Sequence, residues 1–174
     1  MGAELELDAG RVPAGLVLEL QGTAVTARIE DFAGLAFREL AECGSEVSGV
    51  LDGPSGQTEL ELLRLTEVQG LRGNIGVIAG IPKLQQLDLR GCSGLSCSHR
   101  RLPSGWVAPE FNLSDTGLSA VAVDQFLIDL AETGVHDGQL HIAGNNAAHT
   151  EARDAAITAL RGAGCLLVVN GELP

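Results

Sequence analysis

The sequence is poor in basic and aromatic residues. Its 174 residues include no tyrosine, one tryptophan and four phenylalanines, and only one of its eleven basic side chains, Lys83, is a lysine. Against 23 acidic side chains, this leaves a formal net charge of −12. Such a charge would repel a phosphate backbone, so nucleic acid is not expected as a partner.

Long apolar runs and dense cysteine patterns are also missing. No run approaches the roughly 20 apolar residues that span a bilayer, and the acidic start MGAELELDAG lacks the basic and apolar regions of a signal peptide. The four cysteines show no CxxC spacing, which favours a reducing setting, with a processed secreted protein as the alternative. Glycine-rich phosphate motifs and EF-hand loops are also absent, so we expect no cofactor. The lack of a long apolar run predicts no membrane insertion.

What the sequence does contain is a repeating leucine frame. Four leucines of the stretch 60–71 return 24 residues later: Leu60, Leu63, Leu65 and Leu71 recur as Leu84, Leu87, Leu89 and Leu95. Phe111 and Leu113 continue the frame, and LVLELQGTAV and FRELAECGSEV are looser upstream copies. The alternating leucines point one way from a short strand, and a single unit cannot bury them. Stacked units can, with each strand hydrogen-bonding to the next in a parallel ladder.

The stretch LQQLDLRGCSGL resembles a leucine-rich repeat, in which the ninth position is usually asparagine or cysteine. LELQGTAVTARIEDFAGL at 18–35 and GLRGNIGVIAGIPKL at 70–84 resemble the short bacterial and algal type of this repeat. The resemblance covers roughly residues 15–116. It implies a solenoid with a parallel sheet along one face.

Cys92 occupies the ninth position, and two interpretations compete for it. A small, buried, weakly polar thiol can fill the turn of a repeat. Alternatively, Cys92 could bind zinc with Cys97 and His99, but a fourth ligand at metal-site spacing is missing. We therefore predict a structural role and no metal, and we expect Cys43 and Cys165 to belong to the core as well.

After Leu113 the pattern changes from strands to helices. LSAVAVDQFLIDLAETG predicts a helix with Ser119 as N-cap, Gly134 as stop and one apolar face, formed by Val123, Phe126, Leu127 and Leu130. GQLHIAGN predicts a strand through Leu140 and Ile142. A second helix is predicted from about Thr150, its N-cap, to Arg161, with a buried stripe of Ala156, Ile157 and Leu160. CLLVV at 165–169 predicts a final strand.

This tail resembles the C-terminal cap of leucine-rich-repeat proteins of bacteria and bacteriophage particles, although Cys165 stands where many relatives carry tryptophan. The resemblance implies a prokaryotic or viral source and a cytoplasmic or virion-associated location. The prediction is a single α/β domain over residues 1–174 with about seven short parallel strands. It comprises an N-terminal edge at 1–14, repeats at 15–116 and a helix-containing cap at 117–174.

The outward positions of the predicted strands form a polar strip, which we predict to bind the partner. Its candidate residues are Glu19, Arg64, Asp88, Arg90, Glu110, Asn112 and His141. Parallel strands about 4.8 Å apart make such a strip wide enough for a protein or a glycan. A glycan site usually needs exposed aromatic rings, which the strip lacks. A protein partner is therefore expected, with virion or assembly components as one version. The alternatives are a glycan-binding surface module and an ordinary solvated face.

A hydrolase is a second alternative. His141 could pair across the ladder with Asn112 and Asp88, as a general base pairs with its orienting group. The repeat places no serine or cysteine nucleophile beside it. We therefore expect a non-enzymatic module.

One segment departs from the repeat. Between Cys97 and Phe111 stands SHRRLPSGWVAPE, with two prolines, an arginine pair and the sole tryptophan, which predicts a bulge on the back face. If Trp106 is exposed beside Arg100 and Arg101, the three form an alternative partner-binding site. If Trp106 is tucked under the solenoid, it covers the core.

Overall fold

The computed structural model describes residues 3–4, 15–19, 25–28, 37–43, 47–51, 58–98, 101–104 and 106–170. Within these residues the chain forms two parallel β-sheets and two α-helices, α1 (Ala120–Ala131) and α2 (Asp154–Gly162). Short 3-10 helices span Ile75–Gly80 and Glu151–Arg153. The strands, in chain order, are β1 (Ala3–Glu4), β2 (Leu16–Glu19), β3 (Val25–Arg28), β4 (Phe37–Cys43), β5 (Val47–Val50), β6 (Leu62–Thr66), β7 (Gly70–Asn74), β8 (Gln86–Asp88), β9 (Gly94–Ser96), β10 (Glu110–Asn112), β11 (Gln139–Ile142) and β12 (Leu166–Val169).

The strands divide between the sheets in a regular way. The seven-stranded sheet has the order β12-β11-β10-β8-β6-β4-β2, and the five-stranded sheet has the order β1-β3-β5-β7-β9. From β2 to β9 successive strands alternate between the two sheets, whereas α1 and α2 take the place of the second-sheet strand between the last three strands. The predicted α/β class and parallel sheet of about seven strands are confirmed within the described residues. None of the described helices is long and apolar enough to cross a bilayer.

The repeated leucine frame becomes the core because its spacing matches the register of the seven-stranded sheet. One inward row runs from strand to strand through Leu40, Leu63, Leu87, Phe111 and Leu140. All five side chains are buried. The 24-residue spacing places Leu63, Leu87 and Phe111 directly opposite one another, whereas Leu40 and Leu140 join the same row at other intervals.

Helix α1 forms as predicted. The Ser119 side chain accepts a hydrogen bond from the Ala122 N–H at 3.3 Å, which satisfies one of the unpaired donors of the first turn. The predicted apolar face is buried, namely Val123, Phe126, Leu127 and Leu130. The chain then turns at Gly134, whose φ of 73° favours glycine.

Helix α2 differs from the prediction at its start. The chain first makes the 3-10 turn Glu151–Arg153, so Arg153 rather than Thr150 precedes the α-helix, and no side chain caps it. Thr150 is instead bonded to α1: its N–H and hydroxyl donate to the two carboxylate oxygens of Asp124, at 3.0 and 2.6 Å. The predicted buried stripe of Ala156, Ile157 and Leu160 is confirmed.

Candidate functional site

Two rows of side chains cross the outer face of the seven-stranded sheet, and we call these two rows the strand face. Row one comprises Val17, Glu39, Leu62, Gln86, Glu110, Gln139 and Leu166. Row two comprises Glu19, Ala41, Arg64, Asp88, Asn112, His141 and Val168. Both rows arise because side chains alternate along each strand, so that every second residue of the leucine frame points outward.

The strand face brings most of the predicted partner-binding residues together. Glu19, Arg64, Asp88, Asn112 and His141 share row two, and Glu110 lies in row one. Arg90 lies in the turn after β8, beside the face. The central strands enclose a shallow groove of about 180 Å³ whose lining includes five of the predicted residues: Arg64, Asp88, Glu110, Asn112 and His141.

Some charges of the strand face are neutralised within the chain and others are not. The Asp88 carboxylate accepts the Arg90 backbone N–H at 3.2 Å and lies 3.6 Å from the Arg90 guanidinium. Within the described part of the chain, the exposed side chains of Arg64 and Glu110 make no hydrogen bond or ion pair. Their opposite charges, two strands apart, are therefore available to a partner.

His141 lies in the same row as Asn112 and Asp88, as predicted, but it forms no hydrogen bond with either of them. Asn112 lies opposite both Asp88 and His141. Its side-chain oxygen accepts the Ser114 N–H at 3.0 Å, and among the described residues the His141 ring has no hydrogen-bond partner. No serine, threonine or cysteine is among the described residues that line the groove. Among the described residues of the groove, the His141 ring therefore has no orienting hydrogen bond and no neighbouring hydroxyl or thiol.

Cys92 fills the turn after β8. Its thiol is fully buried and donates to the Leu65 carbonyl at 2.6 Å. Burial raises the pKa of this thiol to about 11, which keeps it protonated and poorly nucleophilic at neutral pH. The predicted structural role therefore fits the geometry.

The structure describes the side chains of two further cysteines, Cys97 and Cys165. Cys97 is half-buried, and burial, with a smaller contribution from the Asp129 charge, raises its pKa to about 12. Cys165 is buried. His99 and the side chain of Cys43 lie outside the described residues. Among the residues that are described, no three histidine, cysteine or acidic side chains are grouped closely enough to hold a metal ion.

In the bulge between Cys97 and Phe111, Trp106 is buried, which is the second of the two predicted alternatives. The Trp106 side chain is only 4% exposed, donates from Nε1 to the Pro82 carbonyl at 3.2 Å, and meets the Phe111 ring edge-on at 5.3 Å. Trp106 therefore covers the core and is not an exposed anchor. Arg101 is exposed, and Arg100 lies outside the described residues.

Sequence reasoning missed a buried polar cluster between the two α-helices. The Arg153 guanidinium is fully buried, with Nε 3.5 Å from Asp124 Oδ1 and Nη2 3.1 Å from Asp154 Oδ1. Its Nε and Nη1 atoms have no hydrogen-bond partner among the described residues. No local signal identifies this arginine, because its position in the sequence is typical of an exposed helix end.

Sequence reasoning also missed the apolar end of the strand face. The run CLLVV predicts a final strand but not its exposure, and Leu166 and Val168 on β12 are 67% and 47% exposed. They occupy the outward slots beside Gln139 and His141. The sequence does hold a signal for this exposure. Strand β11 alternates between polar outward and apolar inward residues, and the same alternation on β12 assigns Leu166 and Val168 to the outer face.

Comparisons of the chain with protein-family models, with curated proteins and with solved structures find no match.

Proposed function

We propose that this chain is a non-enzymatic binding module, a leucine-rich-repeat solenoid that binds another protein through its strand face. The observation that carries the proposal is row two. Arg64, Asp88, Asn112 and His141 stand side by side on four successive strands, while the residues between the two rows are buried leucines and a phenylalanine.

The solenoid part of the proposal is supported by the turns as well as the strands. The position three residues after the second inward leucine of each unit is filled by Val68, Cys92 and Thr116, and all three are fully buried. The Cys92 thiol donates to the carbonyl of Leu65, one unit earlier, and the Thr116 hydroxyl donates to the carbonyl of Leu113. The turn position is therefore buried in three successive units, as expected of stacked repeats, although the Cys92 bond crosses to the preceding unit and the Thr116 bond stays within its own.

A protein partner fits the strand face better than a small molecule or a glycan. The groove of about 180 Å³ is smaller than the roughly 300 to 1,000 Å³ typical of ligand pockets. Seven strands about 4.8 Å apart make a face of roughly 29 Å, which suits a protein surface. The two rows carry no tryptophan, tyrosine or phenylalanine ring for sugar stacking. Hydrolysis at His141 is disfavoured because that ring has no orienting partner within the described residues.

The kind of partner is indicated only by the resemblance of the C-terminal tail. A C-terminal segment similar to the caps of bacterial and bacteriophage repeat proteins favours a component of a phage particle or another assembly. We accordingly propose a virion-associated or cytoplasmic location.

The proposal is tested by reversing the two free charges of the strand face. Arg64→Glu combined with Glu110→Arg keeps the net charge and breaks no contact of the described residues. The partner is isolated from the native source on the wild-type chain, and its Kd is then measured by calorimetry for each variant. The double variant should bind at least about tenfold more weakly, with an unchanged melting temperature.

Arg101→Glu provides the matched control. It makes the same substitution on an exposed arginine of the back-face bulge, and we expect it to retain wild-type affinity. Wild-type affinity of the double variant, or loss of binding in the control alone, would contradict the proposed face.

A further inference from the structure

The last strand of the seven-stranded sheet has an unusual edge. β12 pairs with β11 on one side, and no strand lies beyond it within the described residues. Leu166 and Val168 are 67% and 47% exposed on its outward face, and Leu167 is half-buried on the inward face. Three consecutive apolar side chains thus remain partly uncovered at one open edge.

This edge lacks the features that normally prevent strands from pairing. Proteins protect an open edge with lysine, proline, a bulge or another charged side chain. The opposite edge strand, β2, carries the exposed Glu19, whereas Leu166–Val169 contains no ionisable side chain and no proline. In a chain with a net charge of −12, the uncharged strand β12 offers a second copy little repulsion.

We propose that two copies of this chain associate edge to edge through β12, antiparallel about a two-fold axis at Leu167. The Leu166 N–H donates to the Gly138 carbonyl at 2.8 Å, so the backbone groups of Leu166 and Val168 face β11. Those of Leu167 alternate with them and face the open edge. The two Leu167 residues can therefore exchange a pair of hydrogen bonds across the axis.

This register is self-complementary in its side chains as well. With Leu167 opposite Leu167, each Leu166 lies opposite Val168 of the other copy in a non-hydrogen-bonded pair, where side chains approach most closely. The exposed apolar side chains on both copies are then covered together. A two-fold interface uses the same patch on both copies, so the assembly ends at a dimer.

The alternative arrangement of two copies is less favourable. Head-to-tail pairing of β12 with β2 of the next copy would continue the parallel register, placing Leu166 beside Val17 but Val168 beside the charged Glu19. It would also leave an open edge at each end, and so produce filaments of increasing length. The dimer also leaves Arg64 and Glu110 uncovered, so the inference is independent of the proposed binding function.

Sedimentation equilibrium of the full chain over a range of concentrations tests the proposal. We expect a monomer–dimer equilibrium. Val168→Lys should weaken dimerisation by at least about tenfold, because it removes two apolar contacts and places two cations near the axis. Val121→Lys is the matched control, since Val121 is 76% exposed on α1, and it should dimerise like the wild type.

Crosslinking tests the register directly. Leu166→Cys and Val168→Cys are prepared separately and then mixed under oxidising conditions. Opposed residues of a non-hydrogen-bonded pair have Cα atoms about 4.5 Å apart, within disulfide range, whereas the diagonal pairs at about 7 to 8 Å are too distant. The mixture should therefore form a covalent dimer, and neither variant should do so alone. A monomer at every concentration, filaments, or crosslinks in the separate variants would overturn the proposal.

Discussion

Replacing Trp106 with alanine removes a ring that is buried, hydrogen-bonded and packed edge-on against Phe111. Large-to-small core substitutions of this kind cost about 3 to 5 kcal/mol. Within that total, the edge-on ring pair accounts for about 0.5 to 1.5 kcal/mol and the hydrogen bond to Pro82 for a similar amount. For a chain of this length each kcal/mol lowers Tm by about 2 to 4 °C. The expected fall is therefore about 6 to 20 °C.

The assay is urea and thermal unfolding followed by circular dichroism. Trp106→Phe is the matched variant: it keeps an aromatic ring but leaves the Pro82 carbonyl without its donor, and it should cost less, about 1 to 3 kcal/mol. Because Trp106 is the sole tryptophan, its fluorescence in the wild type should also be blue-shifted and resist aqueous quenchers. An unchanged Tm for Trp106→Ala, with ready quenching in the wild type, would refute the burial argument.

Deletion from residue 118 onward removes α1, β11, α2 and β12 and leaves the apolar side chains of β10 uncovered, so the shortened chain should aggregate in light scattering. Burial raises the pKa of Cys92 from 9.0 to about 11, so between these pH values the thiol is protonated in the folded chain and ionised in the unfolded one. The free energy of unfolding should therefore fall as pH rises from 9 to 11, and the Cys92→Ala variant should lose this part of the pH dependence. Asp124→Ala should cost about 3 to 5 kcal/mol in urea unfolding because it leaves the buried Arg153 without its nearest α1 carboxylate, whereas Glu59→Ala, in an exposed pair with Lys83, should cost at most about 1 kcal/mol.

The inward leucines and the outward polar rows could be predicted because both depend on spacing alone. Leu63 and Leu87 hold the same place in two repeats 24 residues apart, so they lie opposite each other once the two strands pair in parallel. Alternation along each strand then assigns Arg64 and Asp88 to the opposite face without knowledge of any other contact. The position of the candidate site on the sheet was therefore accessible from the sequence.

The direction of Trp106 was not accessible in the same way. It depends on a carbonyl one unit earlier, at Pro82, and on the ring of Phe111, while the segment that carries it has no periodicity. The start of α2 depends likewise on Asp124 of α1, which bonds Thr150. Both outcomes are decided by contacts between distant residues in segments where the repeat gives no register.

The polar residues of the strand face divide into those that hold the fold and those that are free. Asp88 and Asn112 each accept the backbone N–H two residues further on, at Arg90 and Ser114, and so close the turn that follows their strand. A substitution at either position would change stability and binding together. Arg64 and Glu110 have no such contact within the described residues, so the effect of changing them on affinity can be attributed to the partner alone.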